Sequence, residues 1–137
     1  LPLLLDGKKM RDCQKPLKDI LEVVGLSDKR GHTPCELVQG QQQRVAIARA
    51  LIGNPQILFA DEPTGNLDSH IEAEIMSLLQ HINKEHGQTI IIVTHSPEAA
   101  KSSSCVITVS DGLLENLMIP KTLAYVWIVW MGWQLYR

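Results

Sequence analysis

The sequence predicts an α/β protein with a mainly parallel sheet core and helices before it. Two short apolar runs carry the prediction, Ile57–Ala60 (ILFA) and Thr89–Thr94 (TIIIVT), both free of charge and bounded by turn residues. Between them, Ile71, Ile75, Leu78, Leu79 and Ile82 recur at helical spacing. A strand, a long helix and a second strand form a βαβ unit, whose crossover makes its strands parallel. Upstream, Pro16–Val24 and Gln41–Ile52 read as helices.

Each element has a local signal. Leu17, Ile20, Leu21 and Val24 predict a helix from Pro16, and Gly25 suits its C-terminal cap. Residues 27–34 are polar and turn-rich and read as a loop. A helix over Gln41–Ile52 stops at Gly53-Asn54-Pro55. The two apolar runs read as strands buried on both faces, as parallel sheets require. Ser69 and Glu72, three apart, form a candidate capping box for the helix between them, and Gly87 ends that helix. Ser96-Pro97 is a helix start, with a capping residue followed by proline in the first turn. Val106–Val109 reads as a third strand, turning at Asp111-Gly112 towards Leu113-Leu114.

The tail differs. Five of the six aromatic residues lie from Tyr125 onward. Pro120 and Lys121 interrupt its apolar stretch, leaving it short of the roughly 20 residues of a membrane-spanning helix. An unstructured or foreign extension is the first expectation for residues 117–137, and a membrane contact the second. The strands of an incomplete parallel sheet are expected to leave an edge uncovered, which this tail could cover.

Composition sets outer bounds. The chain has 137 residues, 45% of them hydrophobic, with a formal net charge of -2, which argues against nucleic-acid binding by bulk electrostatics. Cys13, Cys35 and Cys105 are odd in number and widely spaced, fitting neither a disulfide framework nor a zinc site, and a reducing setting suits them. His81 and His86, five apart on a helix, are not expected to share a face. The start carries no secretory signal and no initiating Met, which is expected of a chain that begins within a longer protein.

Asp61 and Glu62 end the first strand, the position where open α/β sheets place their ligands. One acid can serve Mg²⁺ and the next a water, the pairing needed to hydrolyse a nucleoside triphosphate. In chain order stand Leu37-Val38-Gln39-Gly40-Gln41-Gln42-Gln43-Arg44, then ILFADEP, then Thr64-Gly65-Asn66-Leu67-Asp68, then IIIVTHS ending on His95 and Ser96. This series resembles the nucleotide-binding domain of ABC transporters, from signature motif through Walker B strand and D-loop to switch histidine. The resemblance runs from about residue 1 to residue 115. Within the family, FADEPTGNLD looks like the ATPases of lipoprotein release and macrolide or peptide export.

The resemblance implies a partial ABC-type ATPase domain: a helical subdomain with the signature motif over residues 1–53, part of the catalytic core over 54–116, and the tail over 117–137. It implies ATP and Mg²⁺ as cofactors. Asp61 would support the metal, Glu62 would act as general base on the attacking water, and His95 would contact the γ-phosphate. Gly40, Gln41 and Asp68 would belong to the composite nucleotide site of a dimer, although Asp68 could equally cap the following helix. The partners implied are a second nucleotide-binding domain and a transmembrane permease, with no nucleic acid, at the cytoplasmic face of the membrane.

Two departures qualify the resemblance. The family's usual Ser and Gly of the signature are Val38 and Gln39, which weakens the expected phosphate contact. No Gly-x-x-x-x-Gly-Lys-[Ser/Thr] loop occurs among the 137 residues, so the chain reads as the C-terminal part of such a domain. A truncated domain acting only as an interaction module is the alternative. An ATPase of a soluble translation or repair protein is a third, lower reading.

Overall fold

Leu17, Ile20 and Leu21 line one stripe of helix α1 (Gln14–Val23), which follows a 3-10 turn at Met10–Cys13. The computed structural model describes residues 7, 9–111, 113–118 and 126–131. The chain divides into two units, Leu1–Gln56 and Ile57–Arg137.

In the first unit α1 ends as its glycine predicts. Gly25 adopts φ 70°, the left-handed region that costs a residue with a Cβ. Its N–H donates to the Glu22 carbonyl (3.1 Å), and that of Leu26 to the Leu21 carbonyl (2.8 Å), closing the helix in a Schellman arrangement. The loop read between the helices contains two further 3-10 turns, Ser27–Lys29 and Pro34–Glu36. Thr33 and Glu36 fix the second: the Thr33 amide and hydroxyl both donate to Glu36 Oε2, at 2.6 and 2.9 Å.

Helix α2 spans Gln39–Leu51, beginning two residues earlier than the sequence suggests. Arg44 Nη1 donates to the Val24 carbonyl at 3.2 Å, setting a cation on the carbonyl end of α1. Cys13, Val24, Leu26, Leu37, Ile47, Ala48 and Leu51 are buried apolar side chains of this unit.

The second unit is a sheet with helices. Strand β1 is Ile57–Asp61, α3 Ser69–His86, β2 Thr89–Thr94, α4 Pro97–Lys101, β3 Cys105–Ser110, β4 Leu113–Met118 and β5 Val126–Met131. Their order in the sheet is β1-β2-β5-β3-β4. The βαβ expectation holds: β1 and β2 pair in parallel, with Leu58 opposite Ile90 and Ala60 opposite Ile92. β3 and β4 form the antiparallel hairpin expected at Asp111, whose φ of 50° suits such a turn.

Alternation decides the core. Leu58, Ile90, Ile92 and Thr94 share one buried face of the sheet, and the fully buried Ile75, Leu79 and Ile82 of α3 pack on that side. Each such aliphatic side chain contributes about 1.5–3 kcal/mol by leaving water. Asp68 caps α3, its Oδ1 accepting from the amides of His70 and Ile71, both at 3.0 Å. Gly87 at φ 62° ends the helix, and the buried Asn83 amide donates to the Gln88 carbonyl (2.8 Å) across that turn.

Five expectations are corrected. β1 and β2 are not buried on both faces: Ile57 is 44% and Phe59 71% exposed, while Thr89, Ile91 and Val93 are half-buried. The β1 run read as fully buried is therefore one-sided. The Ser69–Glu72 capping box does not form, because Asp68 takes the cap and Glu72 turns to other partners. Residues 126–131, expected to be unstructured or at a membrane, form a strand. That strand does not cover an edge either. It lies inside the sheet, parallel to both β2 and β3, and β1 and β4 remain the edges. The His81 and His86 rings do meet, edge-on with centroids 6.3 Å apart, since side chains lean towards the helix N-terminus and His86 stands at its last position.

Candidate active site

The site begins with the register of two strands. Asp61 and Val93 are paired residues of β1 and β2, so the carboxyl ends of the two strands lie side by side. The Glu62 amide extends the ladder by one bond, donating to the Val93 carbonyl at 2.8 Å. Glu62 then turns the chain with φ 45°, a left-handed conformation unfavourable for a residue with a long side chain. Strain of about 1–2 kcal/mol is the usual cost of that conformation. It is held by what the carboxylate does next.

Glu62 Oε1 accepts from the His95 amide at 3.1 Å and lies 2.7 Å from His95 Nδ1. Its Oε2 accepts from the Thr94 hydroxyl at 3.3 Å. An ionised carboxylate can only accept, so in this contact Nδ1 is the donor. The side chains of His95 and Glu62 are 67% and 38% exposed, which leaves the pair open to a ligand. Thr94, 1% exposed, also receives the Ser96 amide on its hydroxyl at 3.0 Å.

A second network fixes the two loops to the helices. Glu72 Oε1 accepts from the Ser96 hydroxyl (2.7 Å) and from that of Thr64 (3.3 Å), the latter a buried residue. Ser96 in turn caps α4, accepting the Ala99 amide at 3.2 Å. The loop after β1 and the loop after β2 therefore share one carboxylate. The Gly65 amide donates to the Glu62 carbonyl at 3.2 Å, and a Cβ there would lie 3.4 Å from Glu62 Oε2.

The structure thus brings Glu62 and His95 into contact, with Asp61 exposed at the strand end beside them. Asp68 is engaged as the cap of α3. Gly40 and Gln41 belong to the other unit: Gly40 is buried in the first turn of α2, and Gln41 Oε1 accepts the Val38 amide at 3.2 Å. Val38 occupies the N-cap with no side-chain acceptor and is 65% exposed. Only Gln41 bonds back, so half of a capping box is present there.

Thr94, Glu72 and Ser96 shape the site; sequence reasoning assigns Glu72 and Ser96 helix-capping roles only and Thr94 only a place in a strand. Thr94 meets Glu62 across 32 positions and Ser96 meets Glu72 across 24, separations no local pattern encodes. A cavity of about 410 Å³ lies between α3 and α4, lined by Ser69, Met76, Gln80 and Glu98 among others; neither Glu62 nor His95 lines it. Among the described residues no three His, Cys, Asp or Glu side chains cluster as a self-sufficient metal site. No helix among them is long and apolar enough to cross a membrane.

The sequence profile of the ABC transporter family matches residues 6–65. An uncharacterized ABC transporter ATP-binding protein of Methanocaldococcus jannaschii is 53% identical over 118 residues, covering 86% of this chain and 52% of that protein. The ABC transporter ATP-binding protein YtrE of Bacillus subtilis is 47% identical over 116 residues, 85% of this chain and 50% of its own length. The macrolide export ATP-binding/permease protein MacB of Rhodopirellula baltica is 46% identical over 109 residues, 80% of this chain and 16% of its own. Among solved structures, a dimeric bacterial ABC transporter cassette superposes with a TM-score of 0.66 at 40% identity, over 82% of this chain and 49% of the cassette. The chain spans about half the length of the ATP-binding relatives and cassettes it matches.

Proposed function

We propose a function from one premise: this chain belongs to the ABC transporter family. On that premise the chain is part of an ATP-binding subunit that couples ATP hydrolysis to export or to lipoprotein release. Residues 1–53 supply the helical subdomain with its signature, and residues 54–116 supply the later part of the catalytic core. The observation that carries the reading is the 2.7 Å contact between Glu62 and His95 at the carboxyl ends of adjacent parallel strands.

The donor set fits a magnesium nucleotide. Mg²⁺ is held by one or two carboxylates and completes its shell with phosphate and water oxygens. Asp61, an exposed carboxylate at a strand end, suits that mode, and no group of three such ligands forms among the described residues. Bound Mg²⁺ would supply charge neutralisation at the β- and γ-phosphate oxygens. Glu62 orients the attacking water and accepts its proton. His95 and Thr94 hold the Glu62 carboxylate in place, and an N–H on the other imidazole nitrogen would donate to the γ-phosphate, whose oxygens only accept. Gly40, Gln41 and Asp68 serve the composite site formed with a second nucleotide-binding domain. A transmembrane permease at the cytoplasmic face of the membrane is the mechanical partner.

A second reading, an interaction module without turnover, is favoured by one observation. Val38 and Gln39 stand where the family's signature carries Ser and Gly, and Val38 offers no side-chain hydrogen bond. ATP hydrolysis by a cassette completed with the remaining half of a relative separates the readings. Turnover that Glu62→Gln abolishes supports the ATPase, whereas absence of turnover even after Val38→Ser and Gln39→Gly supports the module.

A further inference from the structure

Glu72 stands in the first turn of α3, away from the strand ends that carry Glu62 and His95. One of its oxygens, Oε1, accepts the Ser96 hydroxyl at 2.7 Å and the Thr64 hydroxyl at 3.3 Å. The first distance is that of a strong bond from a hydroxyl to a carboxylate, and the second is longer than usual. Ser96 directly follows His95, and its amide donates to the Thr94 hydroxyl at 3.0 Å. Thr64 lies two residues beyond Glu62, in the turn closed by the Gly65 amide on the Glu62 carbonyl, and its own carbonyl accepts the Leu67 amide at 3.0 Å. The loop carrying the proposed base and the loop carrying the histidine thus converge on a single oxygen.

That convergence matters because the sheet register ends too early. Asp61 and Val93 are the last paired residues of β1 and β2, so Glu62 and His95 lie just past the ladder. Their 2.7 Å contact is kept there although Glu62 holds an unfavourable φ of 45°. Thr64 is buried, which shields its bond to Glu72 from competing water. The start of a helix favours negative charge, which suits Glu72 to accept from both hydroxyls. We propose that Glu72 is a positioning residue for ATP hydrolysis, setting the Glu62–His95 geometry through Ser96 and Thr64. The proposal rests on the ATPase reading above.

Hydrogen exchange in the full chain is the first test. The His95 amide donates to Glu62, whereas the amides of buried Ile90 and Ile92 lie within the sheet and report opening of the whole unit. Glu72→Ala should speed exchange at His95 about tenfold more than at Ile90 and Ile92, and Glu72→Gln, which keeps an acceptor oxygen, less than about threefold more. Turnover by a completed cassette, taken per folded molecule, is the second test. Glu72→Ala should lower kcat by about 10- to 100-fold and leave KM for ATP within about twofold, since a displaced base weakens the transition state and not the bound nucleotide. Glu72→Gln should restore most of that kcat. Thr64→Val removes one hydroxyl and little volume; it should move both readouts the same way by less, and it carries the test if Glu72→Ala does not fold. Exchange at His95 that merely follows Ile90 and Ile92, an unchanged kcat, or a Gln variant no better than Ala would overturn the proposal. A native cassette without turnover sinks the ATPase reading, and exchange at His95 then decides separately whether Glu72 sets the pair.

Discussion

Glu62 and His95 are 33 positions apart, yet one Glu62 oxygen meets both the backbone amide and the ring Nδ1 of His95, at 3.1 and 2.7 Å. Two strands in register and one left-handed residue produce the contact. The acid is restrained by strand ends rather than by a flexible loop, which is the condition for orienting a water.

In a completed cassette, Glu62→Gln should lower the rate of ATP hydrolysis by about 10²–10⁴-fold, the range for loss of a general base. His95→Ala should cost about as much, and the double variant no more than the worse single one, because the two act as a unit. Steady-state phosphate release measures all three. Additive losses would separate the residues into independent roles.

Glu72 binds Ser96 and Thr64 together. Glu72→Leu should destabilise the fold by about 1.5–3 kcal/mol through loss of hydrogen bonds to a charged acceptor and the exposure of a buried threonine hydroxyl to apolar surroundings. Urea denaturation reads that loss. Glu72→Gln, which keeps an acceptor oxygen, should recover part of it.

Gly25 has φ 70° and an added Cβ would lie 3.3 Å from Arg44 Nη1. Gly25→Ala should therefore cost about 1–2 kcal/mol from the left-handed backbone, with Arg44 displaced from the Val24 carbonyl. Gly53, where a Cβ would meet nothing within 4 Å, is the matched control and should tolerate alanine far better.

Hydrogen bonds from the Thr33 backbone amide first, and then from its hydroxyl, hold the Glu36 carboxyl below its ordinary value. A depressed folded-state value means the stabilisation is present above the unfolded pKa of about 4.3 and is lost as pH falls through the folded one. Glu36→Gln should thus weaken the Pro34–Glu36 turn at neutral pH and make no difference well below pH 4. Amide exchange at Thr33 across that range checks the sign.

Burial pushes the Cys105 thiol up, and Cys13 is buried as well, whereas Cys35 is exposed. Only Cys35 should alkylate quickly near neutral pH, since the thiolate is the nucleophile. Mass spectrometry after brief iodoacetamide treatment should find one modified cysteine in the native protein and three after denaturation.

Local chemistry accounts for the elements that were legible early. Gly25 and Gly87 end helices because only they adopt left-handed φ without cost, and Asp111 turns the hairpin in the same conformation. The alternation that governs burial was not legible for β1. An uncharged run such as Ile57–Ala60 looks the same whether one face or both are covered, and only the sheet shows Phe59 in water. Glu72 followed a capping-box spacing, but Asp68, one residue nearer the start, took the cap and left Glu72 to tie two loops.

By itself the sequence determined the βαβ unit, the helix ends, the order of motifs and the acids at the end of β1, since these depend on periodicity and on residues near in the chain. Tertiary structure alone decided that Glu62 meets His95 and Thr94, that Ser96 and Thr64 share Glu72, and that residues 126–131 enter between β2 and β3. Those contacts depend on strand register and on closing long loops, quantities that no window of neighbouring residues contains.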